Sequence, residues 1–351
     1  MSSVLEYGKI KALIEEIFEK AGLSENYAKI VADNLLEAEI RGVRSHGLIQ
    51  VQNYVRELEE GKIRKEGIPQ ILREYPGTLL IDGKHLPGAV IGNYAFDKTM
   101  EKAKATGVAV TAVKGCTHFG MAAYYAMRAL KETMIGLAFC SAGTLVAPYG
   151  GYERELGTNP ICVAVPAGRE RPVVFDAATS YRAFNKIFFA KEENRKIPFG
   201  WALDREGNPT EEPEEAMQGA LLPFGEYKGY GLSIIVNVIT GILGGAAIEK
   251  DESGRIGENT QEIGYHFAAI DISKFQDTEE FKQTMDVFIK RLKSSGTKSG
   301  EEILIPGEPE FLQREESLRN GVVIYDGVGE SLRQLVKQLN TKIVLEECGK
   351  A

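Results

Sequence analysis

Apolar residues recur at Ile10, Leu13, Ile14, Ile17 and Phe18, the spacing of one helical face, and predict a helix over residues 5–20. Gly22 is a natural stop, and Ser24 caps a second helix that carries Ile30, Val31, Leu35 and Ala38 and ends near Gly42. A third, short helix over 49–60 stops at Gly61. From Thr78 the period changes. Short apolar runs at 79–81, 108–113, 135–139, 161–165 and 173–175 read as strands. They alternate with helices over 92–105 and 121–131, which predicts an α/β layer. A helix follows Ser180. Residues 198–223 are rich in turns, and Asp204 to Pro209 reads as a hairpin. The uncharged stretch 231–248 is dotted with Gly, Ser, Asn and Thr and is read as part of a buried helix over 230–243. A strand (263–272), a helix (278–293), a polar linker (294–300) and two last helices (310–319 and 331–339) complete the pattern. No repeat and no low-complexity tract is evident.

A chain of 351 residues suggests two domains and is long enough for a sizeable core. Its 38 glycines are a larger share than the usual ~7%, pointing to tight turns and close backbone approaches. The formal net charge of −8 argues against a general nucleic-acid binder. Charges throughout the first twenty residues argue against a signal peptide, and no run of ~18 uncharged apolar residues reads as a membrane span. The four cysteines, Cys116, Cys140, Cys162 and Cys348, form no CxxC pair. Cytoplasmic residence with free thiols is the expectation.

The chain has only four histidines. Three of them, His46, His118 and His266, stand near glycine, where a ligand can approach closely, and imidazole suits acid–base work near neutral pH. His46 reads equally as a cation at a helix C-terminus. His85, in a polar turn, reads as ordinary surface. Ser45 and His46 are neighbours, and on a helix they would not face each other, so no serine nucleophile is implied. Both glycine-rich phosphate fingerprints are absent. What remains is Gly225-Glu-Tyr-Lys228-Gly229-Tyr-Gly231, where Lys228 and a helix N-terminus suit a pyrophosphate; close helix packing explains the glycines as well. Asp176, at the carboxyl end of an apolar strand, suits a ligand contact or a helix cap. No short His/Glu spacing supports a metal site.

Taken together, Arg41-Gly-Val-Arg44-Ser45-His46-Gly47, Thr117-His118-Phe-Gly120, Asp176-Ala177-Ala178-Thr-Ser180, Pro198-Phe-Gly-Trp-Ala-Leu-Asp204, Tyr227-Lys228-Gly229-Tyr-Gly-Leu232 and Pro306-Gly307-Glu308 resemble, in order, landmarks of the type-2 malate/L-lactate dehydrogenase family. That family also includes L-sulfolactate and ureidoglycolate dehydrogenases, diketogulonate reductase and piperideine-2-carboxylate reductase. The resemblance runs from about residue 5 to 338. It implies an α/β, non-Rossmann NAD(P)-binding fold with a central, mainly antiparallel or mixed sheet. A helical domain would be built from both chain ends (residues 1–76 and about 306–351), around a central region of about 77–305. It implies a homodimer, a small 2-hydroxy or 2-oxo acid as substrate, and NAD or NADP as cofactor.

By the same resemblance His46 is the proton donor, with His118, Asp176 and Ser45 in the catalytic group. Arg44, Gln50, Tyr54, Ser141 and His266 fall on the substrate side. Asp176, Ala177, Ala178, Lys228, Gly229, Gly307 and Glu308 fall on the cofactor side. The chain departs from the family pattern at Gln50, where arginine is common, at Thr117, where asparagine is common, and at Asn185-Lys186. The expected reaction is hydride transfer between a 2-hydroxy acid and its 2-oxo acid. The alternatives are reduction of a cyclic imino acid or diketo acid, a cofactor-free or metal-dependent hydrolase, and a catalytically silent binding protein.

Overall fold

The computed structural model describes residues 3–246, 248–250, 256–261, 263–298 and 300–345. The chain opens with β1 (Ser3–Leu5), α1 (Tyr7–Lys20), α2 (Glu25–Ile40) and α3 (Val51–Glu59). Then come β2 (Gln70–Tyr75), β3 (Thr78–Asp82), α4 (Gly88–Thr106), β4 (Val108–Lys114), α5 (Ala122–Ala126), β5 (Met134–Cys140), β6 (Ile161–Val165) and β7 (Val173–Ala177). Next are α6 (Phe184–Glu192), the hairpin β8 (Ala202–Leu203) and β9 (Pro209–Thr210), α7 (Pro213–Gln218) and α8 (Tyr227–Asn237). The chain continues with β10 (Ile248–Lys250), β11 (Ile256–Gln261), β12 (Tyr265–Asp271), α9 (Thr278–Lys293), α10 (Glu308–Asn320), β13 (Val322–Ile324) and α11 (Asp326–Leu339).

Seven strands form the main sheet in the order β2-β3-β4-β12-β5-β6-β7. Only β3 and β4 pair in parallel; every other neighbouring pair is antiparallel. The sheet is therefore mixed and mainly antiparallel. One face packs on α4 and α5 through Phe96, Phe119, Tyr125, Tyr265 and Phe267, the centre of the largest buried cluster. A second cluster joins α1, α2 and α3 to β13 and α11, so both chain ends share one helical core. There β1 pairs with β13, Ser3 opposite Ile324. A third, smaller cluster lies around Val146, Ile187, Ala202 and Leu221.

Two differences from the expected elements have physical causes. β2 is nearly all exposed, so it carries no buried face to show in the sequence. The helix expected to be buried around 230–243 continues from α8 as a π-turn, Val238–Ile242. It leaves Ile235, Ile242 and Leu243 at 56, 59 and 63% exposure. Its apolar residues run all round the helix, and among the described residues only one side is packed.

Cys116, Cys140 and Cys162 are buried; Cys348 lies outside the described residues. Among the described residues, no helix is long and apolar enough to cross a membrane. Nor, among them, do three or more His, Cys, Asp or Glu side chains converge as a metal site.

Candidate active site

Two turns from opposite sides of the fold carry the central histidines. The first leaves α2 and runs as a 3-10 turn, Arg44–His46, into Gly47 and Leu48. Glu39, only 7% exposed, underlies it, and its Oε2 accepts the Leu48 N–H at 2.8 Å. Gly47 lies directly over this carboxylate: a Cβ there would stand 2.2 Å from Glu39 Oε2 and 3.1 Å from Glu39 Cα. Burial pushes the Glu39 carboxyl up to about 7, with the Leu48 N–H and Arg44 pulling the other way.

The second turn joins β4 to α5. Thr117 donates to Leu86 O, and the Tyr265 hydroxyl donates to Thr117 O at 2.6 Å. Phe119 is wedged between the rings of Tyr125 and Tyr265, each centroid 4.5 Å away. Gly88 abuts the His118 carbonyl, where a Cβ would approach to 2.0 Å. This turn has little room to move.

Together the turns stack His46 on His118, ring centroids 5.6 Å apart and planes within 15°. Ser45 Oγ lies 2.8 Å from His46 Nδ1. The expectation that these neighbours do not meet is thus corrected: in a three-residue turn the short serine side chain folds back onto the adjacent ring. On the far side, the Tyr54 hydroxyl of α3 lies 2.6 Å from His118 Nδ1. Burial lowers His46 to about 4; burial, with His46 beside it, lowers His118 to about 3. Both rings are therefore neutral at pH 7. Burial also raises Tyr54 well above the ordinary phenol range.

His46 opens onto a cleft of about 1260 Å³. Its walls include Arg44, Ser45, Gly120, Ala122, Ala123, Asp176, Ala177, Ala178 and Gly307. Asp176, next to last in β7, accepts the Ala123 N–H at 2.8 Å. Protein crowds this carboxylate and burial pushes it up to about 6, although the residue's surface stays open to water in the cleft.

The other residues singled out in the sequence stand outside the cleft lining or are tied up locally. Gln50 Nε2 donates to Ser45 O at 2.9 Å, and its Oε1 accepts from Asn53. Ser141 is 1% exposed and its hydroxyl accepts the Gly264 N–H. His266, on the sheet face opposite Tyr265, has a buried Nδ1 with no hydrogen-bond partner among the described residues; burial lowers it to about 4. Lys228 is exposed in the first turn of α8, while Gly229 packs on the backbone of Phe224 and Thr179. Glu308 opens α10, pairs with Lys293 and accepts the Ile305 N–H.

Sequence reasoning missed Thr158, Pro160, Tyr325 and Glu39, which also line the cleft. A signal was present for the first two: Asn159 between them takes φ +39° and donates to Ser233 O at 3.1 Å and Asn237 Oδ1 at 2.9 Å, as an Asn-Pro pair at a tight turn does.

The profile of the family described as malate/L-lactate dehydrogenase matches residues 5–333. The chain is 39% identical over 347 residues to malate dehydrogenase of Pyrococcus horikoshii, covering 95% of each chain. It is 36% identical over 334 residues to malate/(S)-sulfolactate dehydrogenase of Methanothermus fervidus, covering 95% of this chain and 97% of the relative. The solved sulfolactate dehydrogenase of Methanocaldococcus jannaschii superposes with a TM-score of 0.88 at 35% identity, covering 97% of this chain and 98% of that one. Sequence and fold thus match over nearly the full length, and the chain belongs to the malate/L-lactate dehydrogenase family.

Proposed function

We propose that the protein is an NAD(P)-dependent oxidoreductase that interconverts a 2-hydroxy acid and its 2-oxo acid, with His46 as the acid–base group. The observation that carries this reading is the neutral His46 imidazole, backed by His118 and opening onto the cleft. In oxidation His46 takes the hydroxyl proton; in reduction it returns one to the carbonyl oxygen. Where Nδ1–H donates to the Ser45 hydroxyl oxygen, Nε2 keeps the lone pair that takes the proton in oxidation and the N–H that returns it in reduction. His118 and Tyr54 hold the ring face-on, so that little reorientation is needed at the moment of transfer. Asp176 adds negative charge to the opposite wall.

The cleft suits a nicotinamide cofactor. Its volume exceeds that of ordinary small-ligand pockets, roughly 300–1,000 Å³, and Gly120, Ala122, Ala123, Ala177 and Ala178 leave room for flat rings. The 176–178 segment and Gly307 would hold the cofactor; Lys228 and Glu308, outside the cleft lining, are assigned to it by the family resemblance alone. When bound, the cofactor supplies or accepts the hydride. Absorbance at 340 nm tests the reading. Oxidation of NADH or NADPH by a 2-oxo acid supports it, and reaction with a cyclic imino acid alone replaces it with the reductase alternative.

Two expected results follow. Lys228→Ala weakens NAD(P)H binding about 10- to 100-fold, if the lysine makes a charge-assisted phosphate contact of about 1.5–3 kcal/mol; unchanged fluorescence titrations reject that contact. The exposed apolar residues of α8 and its π-turn, Ile235, Ile242 and Leu243, fit burial against a second copy. Sedimentation should show twice the chain mass of 38.6 kDa, and a fully active species of 38.6 kDa rejects the homodimer.

A further inference from the structure

We infer that Arg44 anchors a second ionised group of the substrate, a carboxylate or sulfonate carried away from the reacting carbon, and so selects dianionic over monoanionic acids. This rests on the hydride-transfer reading above. Arg44 and His46 share one 3-10 turn. Residues two apart on such a turn point about 120° from each other. The structure shows this splay. The His46 ring lies against His118 on the sheet side. The Arg44 guanidinium lies over the Tyr325 ring, 4.4 Å from its centroid, and donates to the Tyr325 hydroxyl. Tyr325 belongs to the C-terminal wall of the cleft. Arg44 and His46 thus both line the cleft, with their side chains leaving the turn in different directions.

The other cations along the cleft are differently placed. Arg41 is 8% exposed, paired with Glu37 and stacked on Phe311. Arg195 is paired with Glu193. Lys186 stands exposed on α6, across the cleft. Gln50 carries no charge, and both ends of its amide are engaged with Ser45 and Asn53. Among the described residues, Arg44 forms no ion pair with a carboxylate. Its acidic neighbour Glu39 is engaged by the Leu48 N–H, and burial pushes its carboxyl up, away from the ordinary carboxylate range. A planar guanidinium fixed on an aromatic ring, with N–H groups left over, is a preorganised partner for an oxyanion.

The test compares oxaloacetate with pyruvate in the wild type, Arg44→Gln, Arg44→Lys, Tyr325→Phe and Lys186→Gln. We expect Arg44→Gln to raise KM for oxaloacetate about 10- to 100-fold, the loss of one charge-assisted contact. KM for pyruvate should move less than about twofold, with kcat nearly constant for both. Arg44→Lys should recover part of the oxaloacetate affinity, Tyr325→Phe should lose part of it, and Lys186→Gln should match the wild type. An equal change for both acids, or no change for either, overturns the proposal. Calorimetric binding of the two acids to the intact protein, which needs no turnover, gives a second readout. If the wild type binds oxaloacetate tightly, and Arg44→Gln does not, the anchor stands even where no hydride transfer is found. Equal calorimetric affinities for both proteins overturn it in that case too.

Discussion

Replacing His46 with asparagine is expected to lower kcat by 10²–10⁴-fold, the usual cost of losing a general acid–base group. Asparagine is close to imidazole in size and leaves the stack on His118 roughly filled, so NAD(P)H affinity should barely change. The pH profile adds an independent check. Oxidation needs the neutral ring in the free enzyme, and burial holds His46 at about 4. The histidine limb of kcat/KM for the hydroxy acid is therefore lost as pH falls through about 4, well below the ordinary histidine value near 6.5. His46→Asn should remove that limb. In the bound complex an incoming carboxylate favours the imidazolium and shifts the limb of kcat upward. His118→Asn should cost less, because its ring backs His46 and is held by Tyr54. A near-normal kcat in His46→Asn together with a collapse in His118→Asn would reverse the two roles.

Gly47→Ala is expected to cost activity almost as steeply, for a purely spatial reason. Gly47 takes a φ of −95°, so no left-handed backbone is involved. The alanine Cβ, however, would stand 2.2 Å from Glu39 Oε2, and the 3.1 Å approach to Glu39 Cα leaves the helix backbone in the way. The carboxylate must leave Leu48, or the catalytic turn must lift off α2. Overpacking of this kind costs about 1–3 kcal/mol of stability. A displacement of ~1 Å at the reacting group costs roughly 10²-fold in kcat. A lowered melting temperature with a native far-UV circular dichroism spectrum would show that the fold survives. Adding Glu39→Ala to Gly47→Ala should recover part of the lost stability, since it removes the obstructing oxygen. Wild-type kcat in Gly47→Ala would mean that the turn does not depend on its bed.

Much of this arrangement is legible in the chain because it rests on local signals. Ser24 caps α2, Asp277 caps α9, and the strands Ile161–Val165 and Val173–Ala177 follow from apolar runs. What stays hidden is set by which face a residue takes in the assembled sheet. His266 and Tyr265 are adjacent, yet Tyr265 joins the aromatic core while His266 lies on the other face. Nothing in their order shows which side becomes the cleft. Ser141 looks like a ligand contact until its hydroxyl is seen clasping Gly264, a partner 123 residues away. Tyr325 carries no motif; its place beside Arg44 follows from the way the two chain ends meet. Short elements such as β1 and β13 are equally silent, because three-residue strands hold too few positions for a period to register.

The insertion of β12 between β4 and β5 has a consequence for synthesis. As the chain leaves the ribosome, β4 and β5 emerge separated only by the His118 turn and α5, yet they are not sheet neighbours. Each must keep one edge unpaired until residues 265–271 have been made, more than a hundred residues later. Tyr325 and the rest of the C-terminal wall arrive later still. The nascent protein thus carries open strand edges over a long stretch of its translation, the form most exposed to wrong pairing and to chaperones. The stacked pair His46 and His118, although encoded early in the chain, meets a complete cleft only when nearly the whole polypeptide is present.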